Sequence, residues 1–390
     1  MNELANLINI DTSGWMCSGD DTMVTAKLFK GLLNQAVSNQ LIQVVIASED
    51  MVPTVSQIVE SDAKNRGYLP SYAYRYFPAF SGRDVDMKER MEEILGKCQI
   101  EQDKADDVMA YIDFLMNLES ELGASNGVRD EAVLQKYLRA SSVERTLNDA
   151  VANGVITPEE YGDWIADYSD CSNGRIHLKR IMNRLTRCFG LKSERSKSIA
   201  ALNNGERLCF IIKSDMRNDV KELLFEMIGW DILEAIRSGK RVSLLVLEGY
   251  KKYGDELLQL LNVSSTNISF NLFAKDFFSG HTNDWSEKIN EYFHRYIYTA
   301  HSRMESCEEI SAKRFGQIPV VRNSYACDRD RRIANNRVLD QLFNTNRVDH
   351  YVQHVPVWEP QYRKEEIHDM QQGVCLVQSE TFEGYIDLRG

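Results

Sequence analysis

The chain has 390 residues, 43% of them hydrophobic and 27% charged, with a formal net charge of −12 at pH 7. That length outgrows a single core, so more than one compact unit is expected, and a content of only seven prolines with ordinary hydrophobicity excludes a largely disordered chain. The acidic balance excludes a uniformly basic nucleic-acid binder, and no apolar run approaches the roughly 18 to 20 residues of a membrane-spanning helix.

The chain opens on Met1, Asn2, Glu3 and Leu4, without the basic leader and apolar core of a secretory signal. A strand is expected at residues 7–10, followed by a polar turn through Asp11, Thr12, Ser13 and Gly14. Ser18, Gly19, Asp20 and Asp21 then suit a helix start, and residues 23–37 carry a helical pattern in which Val24, Leu28 and Leu32 fall at i, i+4 and i+8.

From residue 41 to 192 the pattern predicts helices and no strand. Val108, Ile112, Leu115 and Leu122 recur at helical spacing, as do Val133, Tyr137 and Leu138. Thr157, Pro158, Glu159 and Glu160 combine an N-cap hydroxyl, a proline at the first helical position and acids at the positive end of the helix dipole. Gly82, Gly123, Gly127, Gly154 and Gly174 are read as separators between helices. In a helix over 176–188, Arg180, Arg184 and Arg187 share one face while Ile181, Leu185 and Cys188 share another, leaving the basic face for acids or phosphates.

After residue 205 the texture changes. Short apolar runs at 208–212, 242–247, 268–273 and 296–299 alternate with helical patterns at 219–236, 255–261, 285–291 and 306–314, which predicts a doubly wound, mostly parallel α/β sheet. Ligands of such sheets sit at the carboxyl ends of the strands. The residues to inspect are therefore Lys213, Ser214, Glu248, Lys275, Asp276 and His301.

Charge is unevenly spread. Residues 175–197 hold eight Lys or Arg against one acid, residues 313–337 hold seven against two, and residues 84–121 hold twelve acids against four bases. Each run reads as a solvated helix face or, taken together, as a polarity that steers an anionic partner to one side. The eight cysteines have no CxxC spacing and read as reduced cytosolic thiols. The seven histidines are scattered, HExxH and GxSxG are absent, and no metal site is expected.

A P-loop, GxxxxGK[ST], wraps phosphates in backbone N–H groups and supplies a lysine and a metal-holding hydroxyl. No such string occurs: the only Gly-Lys pairs are Gly96-Lys97, followed by Cys98, and Gly239-Lys240, followed by Arg241. Residues 242–247 end in Glu248-Gly249, an acid-terminated strand like a Walker B but without the second carboxylate that would polarise an attacking water. An ordinary buried strand ending in an exposed acid fits that segment equally.

The order of these elements resembles the TraG/TraD type IV coupling proteins of conjugation and secretion systems. The matching residues are the strand at 208–213, the acid-terminated strand to Glu248, the strand at 267–276, Asp284 to Ile289, the strand at 296–299, the helix to Lys313 and Arg314, and a final helix and strand around Glu365, Glu366, Ile367 and Gly373 to Val377. The resemblance implies a RecA-like sheet in residues 1–40 and 201–390, a large all-α domain inserted at 41–200, hexamers, and DNA or protein passed to a secretion channel with ATP. The sequence departs from the family in lacking the P-loop, in Glu248-Gly249, in Lys275 near the family's usual glutamine, in the absence of an arginine at 262–267, and in the absence of amino-terminal membrane helices.

The expected function is a coupling-protein-like component of conjugative DNA transfer or type IV secretion, noncatalytic by itself. It needs no cofactor alone, with ATP and Mg expected only if a P-loop lies upstream or on another chain. Glu248 is the candidate catalytic carboxylate, and Arg180, Arg184, Arg187 and Lys275 are candidate contacts for DNA, relaxase or other secretion components. The expected location is cytoplasmic, at the inner face of the membrane through partners. The alternatives are the downstream part of an ATP-driven motor and a cytosolic scaffold unrelated to DNA transfer.

Overall fold

The computed structural model describes residues 14–48, 68–70, 84–122, 131–188, 198–212, 217–247, 267–276, 293–315, 317–327 and 350–389. The strand expected at 7–10 and the helices expected at 255–261 and 285–291 lie outside them.

In chain order, β1 (Trp15–Ser18) leads to α1 (Thr22–Ser38), β2 (Ile42–Ser48) and β3 (Tyr68–Pro70). Six helices follow: α2 (Asp84–Lys97), α3 (Gln102–Leu122), α4 (Glu131–Tyr137), α5 (Ala140–Ala152), α6 (Pro158–Asp170) and α7 (Ser172–Cys188). The chain then returns through β4 (Arg207–Ile212), α8 (Asn218–Arg237), β5 (Val242–Leu247), β6 (Ile268–Ala274) and β7 (Arg295–Tyr298). Last come α9 (Met304–Glu309) with a π-helical turn (Ile310–Arg314), β8 (Gln317–Cys327), β9 (His350–Pro360), α10 (Lys364–His368), β10 (Val374–Gln378) and β11 (Glu383–Asp387).

All but β8 and β9 form one nine-stranded sheet in the order β11-β10-β7-β1-β6-β5-β2-β4-β3. From β7 through β3 every neighbouring pair is parallel, and β10 and β11 add an antiparallel edge. The apolar runs arise because these strands are covered on both faces, and their period-2 alternation divides the buried residues into two layers. Val45, Ala47, Leu245, Leu247 and Phe273 pack with Val24, Leu28, Phe29 and Leu32 of α1. Val44, Ile46, Leu244, Val246 and Leu272 point the other way, into a core continuous with α8 and the helices between β3 and β4. Each fully buried leucine or valine in these layers contributes about 2 kcal/mol through removal from water.

The expectation of no strand between residues 41 and 192 is corrected. β2 runs near the middle of the sheet, between β5 and β4, and β3 forms its far edge. Ile42 to Ala47 of β2 are buried on both faces, so they lack the polar alternation that separates a strand from a buried helical turn. Gly174 is a second correction: it lies inside α7, where an added Cβ would come 1.8 Å from the Asp107 carbonyl oxygen, so its bare backbone lets α7 lie directly on α3. The helical region is fastened by Phe114, whose ring meets Trp164 edge-on at 5.6 Å, and by the Tyr111 hydroxyl, which donates to the Tyr137 carbonyl at 2.6 Å.

One polar row crosses the α1 side of the sheet. Gln43 stands beside Arg207 in β4 and beside Ser243 in β5, and Ser243 stands beside Ser269 in β6. Arg207 Nε donates to Gln43 Oε1 at 2.6 Å, and Gln43 Nε2 donates to the Leu33 carbonyl of α1. Strands β8 and β9, absent from the sequence expectation, pair over eleven residues each as a separate antiparallel ribbon with Trp358 exposed near its base.

Candidate functional site

The sheet reverses direction at β1. After β1 the chain builds strands on the β6 side, and after β6 it crosses to β7 on the opposite flank of β1. A doubly wound sheet takes its ligands outside the carboxyl ends of the strands at such a switch point. Three segments meet there: Gly19 to Asp21 after β1, Lys275 and Asp276 after β6, and Thr299 to Ser302 after β7.

They are stitched together. Gly19 N–H donates to the Ala274 carbonyl at 2.9 Å and Asp20 N–H to the Ala300 carbonyl at 2.8 Å. Asp21 N–H reaches Thr299 Oγ1 at 3.3 Å, and Ser302 N–H donates to Asp20 Oδ2 at 2.9 Å. Gly19 has φ +132°, and a Cβ there would meet Thr299 Oγ1 at 2.0 Å, so only glycine fits this approach.

Asp21 is the N-cap of α1. Its Oδ1 accepts from Met23 N–H at 2.8 Å and Val24 N–H at 3.1 Å, while Oδ2 accepts from Gly373 N–H just before β10. The carboxylate is 7% exposed and sits at the positive end of the helix. In a P-loop the turn from strand to helix holds phosphate with these same kinds of N–H groups. A phosphate arriving at this turn would have to displace Asp21.

Behind the turn lies His301, 2% exposed, whose Nε2 is 2.9 Å from Ser18 Oγ and whose Nδ1 is 2.7 Å from the Thr299 carbonyl. Burial lowers its pKa below the ordinary histidine value, against the opposing pull of the Thr299 hydrogen bond and of Asp276 and Asp20. Ser306 donates to Asp276 Oδ1 at 2.8 Å, and Arg303 pairs with the same carboxylate at 3.4 Å. Burial pushes the thiol of nearby Cys307 up to about 11.

Of the candidate residues, Lys275 is exposed at the carboxyl end of β6, beside the end of β1. Glu248 lies outside the described residues, although β5, which leads to it, has the bounds expected. Arg180 is exposed on α7, and Arg184 and Arg187 belong to the same helix, with side chains outside those described. Arg180 takes no part in the hydrogen bonds of the stitched turn. Lys213 and Ser214 also lie outside the described residues.

A second concavity of about 580 Å³ lies in the helical region. Asp113, Glu121, Glu160, Asp163, Asp167 and Asp170 ring it around Phe114 and Trp164, a sign of charge that repels phosphate. Among the described residues, no three or more His, Cys, Asp or Glu side chains are grouped to hold a metal ion, and no helix is long and apolar enough to cross a membrane.

The sheet order, the strand-turn-helix at the switch point and the helical insertion between β3 and β4 define a RecA-like α/β fold. Solved structures with this fold include the bacterial conjugative coupling protein TrwB in an unbound form, at 12% identity over 96% of this chain and 83% of that one, with a TM-score of 0.53. TrwB in complex with ADP and Mg2+ aligns at 12% identity over 97% of this chain and 85% of that one, with a TM-score of 0.52. VirB4 of Thermoanaerobacter pseudethanolicus aligns at 11% identity over 97% and 89%, with a TM-score of 0.50. At these identities the likeness is one of fold. No protein-family model matches the chain, and no curated protein matches it in sequence.

Proposed function

We propose that this chain is a coupling-protein-like component of conjugative DNA transfer or type IV secretion that works without hydrolysing ATP itself. One observation carries the reading: the turn after β1 spends its N–H groups on the protein, with Asp21 where a phosphate would lie. The turn also lacks the P-loop lysine and adds two carboxylates, Asp20 and Asp21, so it does not fit a triphosphate. This argues against the motor alternative as well. The strand between β6 and β7 is already β1, so a P-loop supplied from elsewhere would find its place in the sheet filled.

In this reading the protein contributes binding. The basic face of α7, with Arg180 exposed, is the contact for DNA or relaxase, while the acid-ringed side of the helical region repels phosphate. Self-assembly into a hexamer and contact with other secretion components belong to the same proposal. Purified protein is expected to show neither ATP binding by calorimetry nor ATP turnover. Unaided turnover that vanishes in Glu248→Gln would overturn the noncatalytic part. Binding to double-stranded DNA is expected to weaken with salt and to be abolished by combined Arg180→Glu, Arg184→Glu and Arg187→Glu. Absence of DNA and relaxase binding by the unaltered protein would overturn the binding part.

A further inference from the structure

We propose that His301 is an acid-operated latch, holding the turn after β1 closed when its ring is neutral and releasing it when the ring is protonated. The bonding fixes the neutral ring's tautomer. The Thr299 carbonyl can only accept, so Nδ1 carries the proton and Nε2 is the acceptor for the Ser18 hydroxyl. Protonation places a second N–H against Ser18 Oγ. The hydroxyl must then reverse from donor to acceptor and find another partner for its own proton, while a positive charge is formed in a site that is 2% exposed.

Among the described residues, the two carboxylates that act on the ring come from different elements. Asp20 follows β1 and Asp276 follows β6, and both favour the charged ring. Asp276 already serves Arg303 and Ser306, and Asp20 already binds Ser302 N–H. Cys307 of α9 and His368 of α10 contact the His301 carbonyl oxygen, at 3.9 and 2.9 Å. Burial is the largest influence on the ring and opposes its charge.

The ring relieves that charge by moving toward water, and it sits on the segment that pins the turn. Ala300 and Thr299 accept from the amides of Asp20 and Asp21, and Ser302 donates to the Asp20 carboxylate. Displacing His301 therefore loosens the turn and also the α9 and α10 contacts to its carbonyl. The result is an opening at the carboxyl edge of the sheet, where doubly wound proteins take ligands. The sign follows from linkage. A histidine pKa depressed by folding leaves the latch at full strength above the unfolded value near 6.5, and the strength is lost as pH falls through the lower folded value.

Amide hydrogen exchange of the full chain, corrected for intrinsic rates, tests this between pH 7.5 and 5.5. The amides of Gly19, Asp20 and Asp21 are expected to lose up to about tenfold in protection at the lower pH, the ceiling for one histidine released at its ordinary value, with amides of α3 unchanged. In His301→Asn the turn's protection is expected to be independent of pH, whereas His368→Asn keeps the response. Protection equal at both pH values, or a response that survives His301→Asn or disappears in His368→Asn, would overturn the latch. Should His301→Asn not fold, Ser18→Ala removes the donor that favours the neutral ring and should shrink the loss of protection between pH 7.5 and 5.5; an undiminished loss would sink the idea. Ring NMR of the unaltered protein gives an independent reading, and a His301 titration at or above 6.5 is incompatible with the proposal.

Discussion

Two helix starts in this molecule use the same chemistry for different ends. At α6, Thr157 accepts from Glu160 N–H at 3.2 Å and the Glu160 carboxylate accepts from Thr157 N–H, a capping box closed within four residues and exposed to water. At α1, Asp21 caps with one oxygen and binds Gly373, 352 residues away, with the other. The first cap stabilises a helix; the second joins the start of α1 to the distant edge of the sheet. The physical difference is burial, since a carboxylate removed from water must satisfy both oxygens inside the protein.

Substitutions separate the two cases, and the largest effect belongs to the buried start. Gly19→Ala combines a positive φ with a Cβ overlapping Thr299 Oγ1, and denaturant titration is expected to show a loss of about 3 kcal/mol or more. Asp21→Ala removes the cap and orphans the Gly373 amide, for an expected loss of about 3 kcal/mol. Asp21→Ser should recover the capping share and leave the Gly373 share lost, so equal values for the two variants would show that the long-range bond contributes nothing. At the exposed start, Thr157→Ala is expected to cost about 1 kcal/mol, visible as a small fall in Tm. The smallest effect is that of acid on Glu160. Its pKa is lowered by the Thr157 backbone and side-chain hydrogen bonds, so its contribution is present above the unfolded value near 4.5 and fades as pH falls through the folded one. Circular dichroism of Glu160→Gln should show that slight acid response removed.

The same contrast explains what the sequence could reveal. The α6 cap was legible in Thr157-Pro158-Glu159-Glu160 because its partners are local. β5, β6 and α8 were legible because an apolar run or a 3.6-residue pattern is likewise a local property. Ser18 to Asp21 were legible as a helix start, and His301 and Asp276 as residues beyond strand ends. Their meeting was not, since Ser18 and His301 are 283 positions apart. β1 was overlooked for a different reason: its four residues are too few to show a period. β8 and β9 carry Pro319, Pro356 and Pro360, which argue against a central strand but are tolerated in a ribbon whose outer edges need no partners.

The polar row under α1 also governs how the sheet can be assembled wrongly. A parallel sheet of uniform Val, Ile and Leu would tolerate neighbouring strands slipped by one residue, but here such a slip turns β4 over. Arg207 would then leave Gln43 and thrust a guanidinium toward the layer that holds Phe210 and Phe225. Misaligned chains carry their own penalty, and the correct alignment is selected by an electrical cost that the oily residues alone could not impose.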